Sequence, residues 1–343
     1  MKISILDQTH LLENMSSEEG FAQTVELAQY AEQLGYHRYW LSEHHSSHSI
    51  IGSAPEILAS FLIAKTSKIQ IGTGGVMLTH YNPYKIAEQF KVMSALAPDR
   101  VNIGVGRAPG GAHLSTIALQ GGRSLEDGWK RDKEGFPEQI DELLEYLEDE
   151  LSEAHPFRGY LHAAPIVEKK PDVWVLGTSS SSAILAAEKG LPFAFAQFIN
   201  HEPGEMAKAI YQYREQFNSS KFLKQPKAIA AMKIIVANTD EEAAFVAKSA
   251  LYVNFLQHRS QNARIIRPED ALIDVKTEKE KQEIEDLKST YLLGSKETVA
   301  RQIKNLTAVI PIDELMAVSP IYDITKRKRS FELLKEAVVL AQE

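Results

Sequence analysis

Lys2-Ile3-Ser4-Ile5-Leu6-Asp7-Gln8-Thr9-His10 opens the chain with an apolar strand, Lys2–Leu6, that runs straight into four polar residues. An open dinucleotide-binding sheet turns at this point on a glycine-rich fingerprint, which lets the backbone approach a pyrophosphate. Asp7-Gln8-Thr9-His10 contains no glycine. The open doubly wound sheet thus lacks its diagnostic feature, and the rest of the chain decides for a closed barrel.

Outward from that strand, short apolar runs alternate with helical periodicity. Further strands read at Arg38–Leu41, Ile69–Thr73, Val101–Val105, Val173–Leu176, Phe193–Ala196, Ile229–Ala237 and Glu314–Val318. Between them the apolar spacing predicts helices over Ser17–Leu34, Pro55–Lys65, Pro83–Leu96, Trp129–Leu151, Ser181–Lys189, Pro203–Phe217, Asp240–Leu256 and Lys296–Val309, with a last helix from Ser330. Gly35 and Gly190 supply stops, and Pro55 and Pro83 stand in first turns, where a missing N–H costs nothing. Strand–helix alternation repeated to an eighth strand predicts a (β/α)8 TIM barrel, one domain over residues 1–343. Two connections exceed ordinary loop length: glycine-rich Gly106–Gly128, and Gln257–Thr290 between the seventh helix and the eighth strand. Insertions of that length usually act as lids, and the second is the expected one.

Composition narrows the function. The net charge is −8 with no basic face, which argues against nucleic acid as the main partner. The absence of cysteine excludes disulfides, thiolate chemistry and cysteine-bound metals. The first residues turn polar too early for a signal peptide, and no run reaches the roughly 18 apolar residues of a membrane span. A cytoplasmic protein is the expectation.

Barrel loops after strands open on one face, where ligands bind. The second strand exits into Glu43, His44, His45 and His48; the third into Gly74-Gly75-Val76-Met77-Leu78; the fourth into Gly106-Arg107. The fifth ends Gly177-Thr178-Ser179-Ser180-Ser181-Ser182 and leads directly into a helix. Hydroxyls at a helix N-terminus, with an arginine on the neighbouring exit, have the makings of a phosphate site. The glycines either admit a flat ring to the backbone or serve tight packing, and both readings stand at this stage.

These four exits, Tyr39–His45, Ile71–Leu78, Val101–Gly111 and Val173–Phe195, resemble in order those of the bacterial luciferase-like flavin monooxygenases, in their single-chain oxidoreductase group. The resemblance implies reduced FMN at the barrel mouth, supplied by a separate flavin reductase, and O2 as co-substrate in the oxygenation of a small organic molecule. It implies that Arg107, Thr178, Ser179 and Ser182 hold the FMN phosphate, and that Gly74 and Gly75 lie beside the isoalloxazine, where relatives often have a non-prolyl cis peptide. It makes His44 the catalytic residue, assisting proton transfer near the flavin's reactive edge, and the Gln257–Thr290 insertion a lid. It also implies a homodimer through the helices around Ile57–Ala64 and Ile86–Leu96. Gly106 stands where luciferase proper has a reactive cysteine, and Thr178 where it has an acid, so light emission is not implied. Three other readings fit the same residues: hydride transfer with the deazaflavin F420, non-catalytic FMN carriage, and metal-dependent hydrolysis on His44, His45 and His48. Against the metal, no matching histidine–carboxylate group stands at the other exits. The substrate is shaped by Gly106–Gly128, Gln197–Asn200 and the insertion, none of which names a molecule.

Overall fold

The computed structural model describes residues 1–121, 135–259, 261 and 263–343. Eight parallel strands close the barrel: β1 (Lys2–Asp7), β2 (Arg38–Leu41), β3 (Gln70–Met77), β4 (Val101–Gly106), β5 (Asp172–Gly177), β6 (Phe193–Ala196), β7 (Ala228–Ala237) and β9 (Glu314–Val318). Each pairs with its neighbour in order. The ring shuts where β9 joins β1 at Ile3↔Leu315 and β7 at Ala230↔Leu315. The expected fold class is the observed one.

A ninth strand lies outside the ring. β8 (Leu292–Ser295) pairs with Ile234–Ala237, the half of β7 that runs beyond its pairing with β9. The sequence assigns no element to Leu292–Ser295, because four residues flanked by helices leave no alternation to detect. The preceding Gln257–Thr290 insertion, for which the sequence predicts no element, contains α9 (Glu278–Ser289), opened by a capping box between Thr277 and Glu280.

The other helices are α1 (Ser17–Leu34), α2 (Pro55–Lys65), α3 (Pro83–Leu96), α4 (His113–Leu119), α5 (Phe136–Glu148), α6 (Ser180–Glu188), α7 (Glu205–Glu215), α8 (Asp240–Gln257), α10 (Lys296–Val309) and α11 (Ile324–Gln342). Of the Trp129–Leu151 helix expected from sequence, Phe136–Glu148 is observed, and residues 129–134 lie outside the described residues. α11 starts at Ile324, six residues before the expected Ser330, because Asp323 caps it by accepting from the Lys326 N–H at 2.9 Å.

The barrel interior is filled in layers. At its foot Arg38 donates to Glu314 through Nε (2.8 Å) and Nη2 (3.0 Å) and to Asn102 Oδ1 (3.0 Å), with its guanidinium 4.6 Å from the Trp174 ring centroid. Above it Leu6, Trp40, Trp174, Ala194, Ile229, Ala231 and Met316 form an apolar plug. Leu6, Trp40, Ala194, Ala231 and Met316 of this plug form the floor of the site.

Candidate active site

Two adjoining cavities open at the C-terminal ends of the strands. The first, about 350 Å³, has Leu6, Trp40, Ala194, Ala231 and Met316 as its floor. Gly74, Gly75, Arg107, Thr178, Ser179 and Ser182 all line it. Six residues picked from three separate strand exits therefore share one concave surface.

β3 continues through the glycine pair to Met77, beyond the expected end at Thr73. Val76 pairs with Val105 and Met77 with Gly106, so the register shifts across Gly75. The Gly74–Gly75 peptide is cis. The tight-packing reading of these glycines is observed. A Cβ on Gly75 would stand 2.4 Å from Leu176 Cδ1 and 2.5 Å from the Gly104 carbonyl oxygen, and one on Gly74 2.8 Å from Leu6 Cδ1. Packing demands glycine, and the same bare backbone faces the cavity.

Opposite stands the start of α6. Gly177 lets β5 run into the helix at close quarters, since a Cβ there would lie 2.2 Å from Ser182 Cβ. Ser179 is the N-cap, but its hydroxyl meets Ser181 Oγ at 2.9 Å and makes no capping bond. One helix donor is taken by a residue the sequence reading missed: Glu205 accepts from the Ser180 N–H at 3.0 Å and from Ser180 Oγ at 3.1 Å. That bonding holds the Glu205 carboxyl below its ordinary range. The Ser181 and Ser182 N–H groups have no hydrogen-bond partner among the described residues, and Ser182 lines the cavity. Arg107 is exposed and makes no hydrogen bond or ion pair among the described residues.

The second cavity, about 520 Å³, contains His44 and shares Phe198 and Ile199 with the first. His44 leaves β2 with its N–H donated to the Gly52 carbonyl (2.8 Å) and its Nδ1 3.0 Å from Ser42 Oγ. Nε2 has no partner among the described residues. Burial lowers its pKa from the ordinary 6.5 to about 4, so the ring is neutral at pH 7. His45 turns instead to Glu43, with Nε2 2.6 Å from Oε1, and His48 is exposed. No three His, Cys, Asp or Glu side chains converge as a metal site among the described residues.

Glu43 is the hub. Fully buried, it also accepts from Tyr81 Oη (2.7 Å) and the Met77 N–H (2.9 Å), tying the exit of β2 to the end of β3. His10, pushed down to about 3 by burial, and Lys233, pushed down to about 7, line the second cavity and were not picked from sequence. For Lys233 the missed signal was a lone lysine in a strand buried at every position. Gln257, His258 and Ile265 bring the insertion against this cavity, and Ile265 bridges to Leu12.

A family model described as luciferase-like monooxygenase matches residues 1–310. The N-acetyl-S-alkylcysteine monooxygenase of Bacillus subtilis is 37% identical over 347 residues, covering 100% of this chain and 99% of the relative. The crystal structure of apo-MsnO8 superposes with a TM-score of 0.85 at 29% identity, covering 99% of this chain and 98% of that one. Two structures below 20% identity share the fold. They are the oxygenating component of 3,6-diketocamphane monooxygenase from Pseudomonas putida with FMN (TM-score 0.70, 18%, covering 98% and 97%) and an F420-dependent secondary alcohol dehydrogenase with an F420–acetone adduct (0.66, 16%, covering 100% and 99%).

Proposed function

The chain belongs to the luciferase-like monooxygenase family, and from that premise we propose that it uses reduced FMN and O2 to oxygenate a small organic substrate. One observation carries the reading: an unpaired arginine, three hydroxyls and open helix N–H groups stand at one end of a cavity with an apolar floor and a side-chain-free wall. That donor set fits a phosphate, and the floor and wall fit a flat ring.

Arg107, Thr178, Ser179 and Ser182 would hold the phosphate, with Gly74 and Gly75 beside the ring system. Reduced flavin, when bound, supplies the electrons that activate oxygen. The chain's own residues do the rest. Phe198 and Ile199 divide the cofactor cavity from the substrate cavity. His44, neutral and oriented through Nδ1, presents Nε2 as a site that can hold or release a proton. The 257–290 insertion limits water at the second cavity. A separate reductase would supply the reduced flavin, as the likeness to the luciferase-like monooxygenases implies.

We further propose a homodimer through α2 and α3, where Ile57, Phe61, Val92 and Leu96 are 69%, 52%, 47% and 67% exposed.

The test is an anaerobic titration with reduced FMN, then admission of O2 with a substrate panel. Binding followed by product formation is expected, and His44→Ala should bind flavin yet lose oxygenation by about 10²-fold or more, the usual weight of a positioned proton donor or acceptor. Unchanged turnover in that variant would return His44 to a structural role. Binding of F420 in place of either FMN redox form would replace the oxygenase reading with hydride transfer.

A further inference from the structure

Lys233, on β7, is 7% exposed, and its side chain lines the second cavity. Its ammonium makes no hydrogen bond or ion pair among the described residues and stands 5.3 Å from the Tyr291 ring centroid. The Tyr291 hydroxyl is already bonded to Asn254 Nδ2.

No acidic residue lines this cavity among the described residues. The titratable and amide groups lining the cavity with the lysine include His10 from the end of β1, His44 and His45 after β2, His201 after β6, and Asn254 and His258 from α8 and its end. Burial keeps His10 and His44 neutral and lowers His201. Asp7, the buried carboxylate at the end of β1, is engaged by Arg327 Nη2 (3.0 Å), Tyr39 Oη (2.7 Å) and Thr24 Oγ1 (2.9 Å). A buried ammonium without a counter-charge is costly, and desolvation alone draws this one down to about 7. Among the described residues, each other buried lysine or arginine has an acid: Arg38 has Glu314, Lys91 has Asp149 and Arg327 has Asp7.

We propose that Lys233 is the specificity residue for the substrate and that the second cavity takes an organic carboxylate, whose charge the lysine completes. The cavity's neutral hydrogen-bonding groups, Gln8, His201 and Asn254 among them, would serve the polar atoms near that carboxylate. The inference rests on the reading that FMN occupies the first cavity and leaves the second for substrate.

The probes are N-acyl amino-acid thioethers, N-acetyl-S-methyl-L-cysteine and N-acetyl-L-methionine, each paired with its neutral carboxamide. They are titrated calorimetrically into the full-length protein with and without FMN. Wild type should bind acid over amide by tenfold or more. Lys233→Met should bring that ratio near one while holding the melting temperature, since it removes an uncompensated charge, and Lys233→Arg should keep part of it. Binding of none of the acids, equal binding of acid and amide, or a preference that survives in Lys233→Met would overturn the proposal. FMN and riboflavin titrated into Lys233→Met separate the other source of anion. Loss of a preference for FMN there would assign the lysine to the cofactor phosphate and also overturn it. Failure of wild type to bind FMN would remove the oxygenase reading, while the acid–amide ratio still decides Lys233.

Discussion

His44 and His10 are held neutral at the barrel mouth, at about 4 and about 3, because burial withdraws the water that would stabilise an imidazolium. His37, at the foot of the barrel, is lowered to about 4 by the same cause. Each folded value lies below the unfolded 6.5, so the unfolded chain takes up protons first as the pH falls. Stability is therefore complete above 6.5 and declines through the window toward 4 and 3. The urea midpoint should fall between pH 7 and pH 4.5, and His10→Gln should flatten that decline; a level profile in the wild type would contradict the burial of these rings. Asp7 acts lower. Burial raises it, but Arg327 and the hydrogen bonds from Tyr39 and Thr9 outweigh that and hold it below 3.8, so its share is lost only under that value. Asp7→Asn leaves Arg327 buried without its charge and should cost about 3–5 kcal/mol in urea unfolding at pH 7. His44 and Arg107 were legible because imidazoles and a lone guanidinium at strand exits are conspicuous. Glu43 was legible as an exit residue but not as the hub, since Met77 and Tyr81 reach it from the next strand's exit, and Asp7 was not legible, since its partner Arg327 stands 320 positions away.

At the scale of elements, the strand exits carry the site and the glycines shape it. β3 was read as ending at Thr73 because glycines interrupt a strand pattern, whereas the register shift at Gly75 lets pairing resume at Val76. The two glycine positions make opposite predictions. Gly75→Ala drives a methyl into Leu176 and the Gly104 carbonyl and should destabilise by about 1–3 kcal/mol. Gly106→Ala meets only the end of the Met77 side chain, Sδ at 3.6 Å and Cε at 3.8 Å, and should stay within about 0.5 kcal/mol. Denaturant midpoints of the two variants check the pair, and equal effects would contradict the packing described. Helices with capping signals at both ends, such as α1 between Ser16 and Gly35, were legible to the residue. α9 was hidden because Lys276-Thr277-Glu278-Lys279-Glu280-Lys281 reads first as a solvated charge run, with only Ile284 and Leu287 buried beneath it.

For the molecule as a whole, strand–helix alternation made the closed barrel readable from sequence, while β8 was not, because its place on the outer half of β7 depends on a pairing no local pattern encodes. The apolar face of α2 and α3 gives a prediction at this scale. Phe61→Glu should convert a dimer to a monomer in sedimentation velocity without changing helix content, and an unaltered dimer would move the interface elsewhere. The central claim, that the cavity over Gly74–Gly75 holds FMN by its phosphate, is tested most directly by comparing FMN with riboflavin in the wild type and in Arg107→Ala. A charge-assisted contact contributes about 1.5–3 kcal/mol, roughly one to two decades in affinity. Wild type should therefore prefer FMN by at least tenfold, and Arg107→Ala should erase most of that preference while binding riboflavin as before. Equal affinity of the wild type for FMN and riboflavin, or a preference untouched by Arg107→Ala, would contradict it.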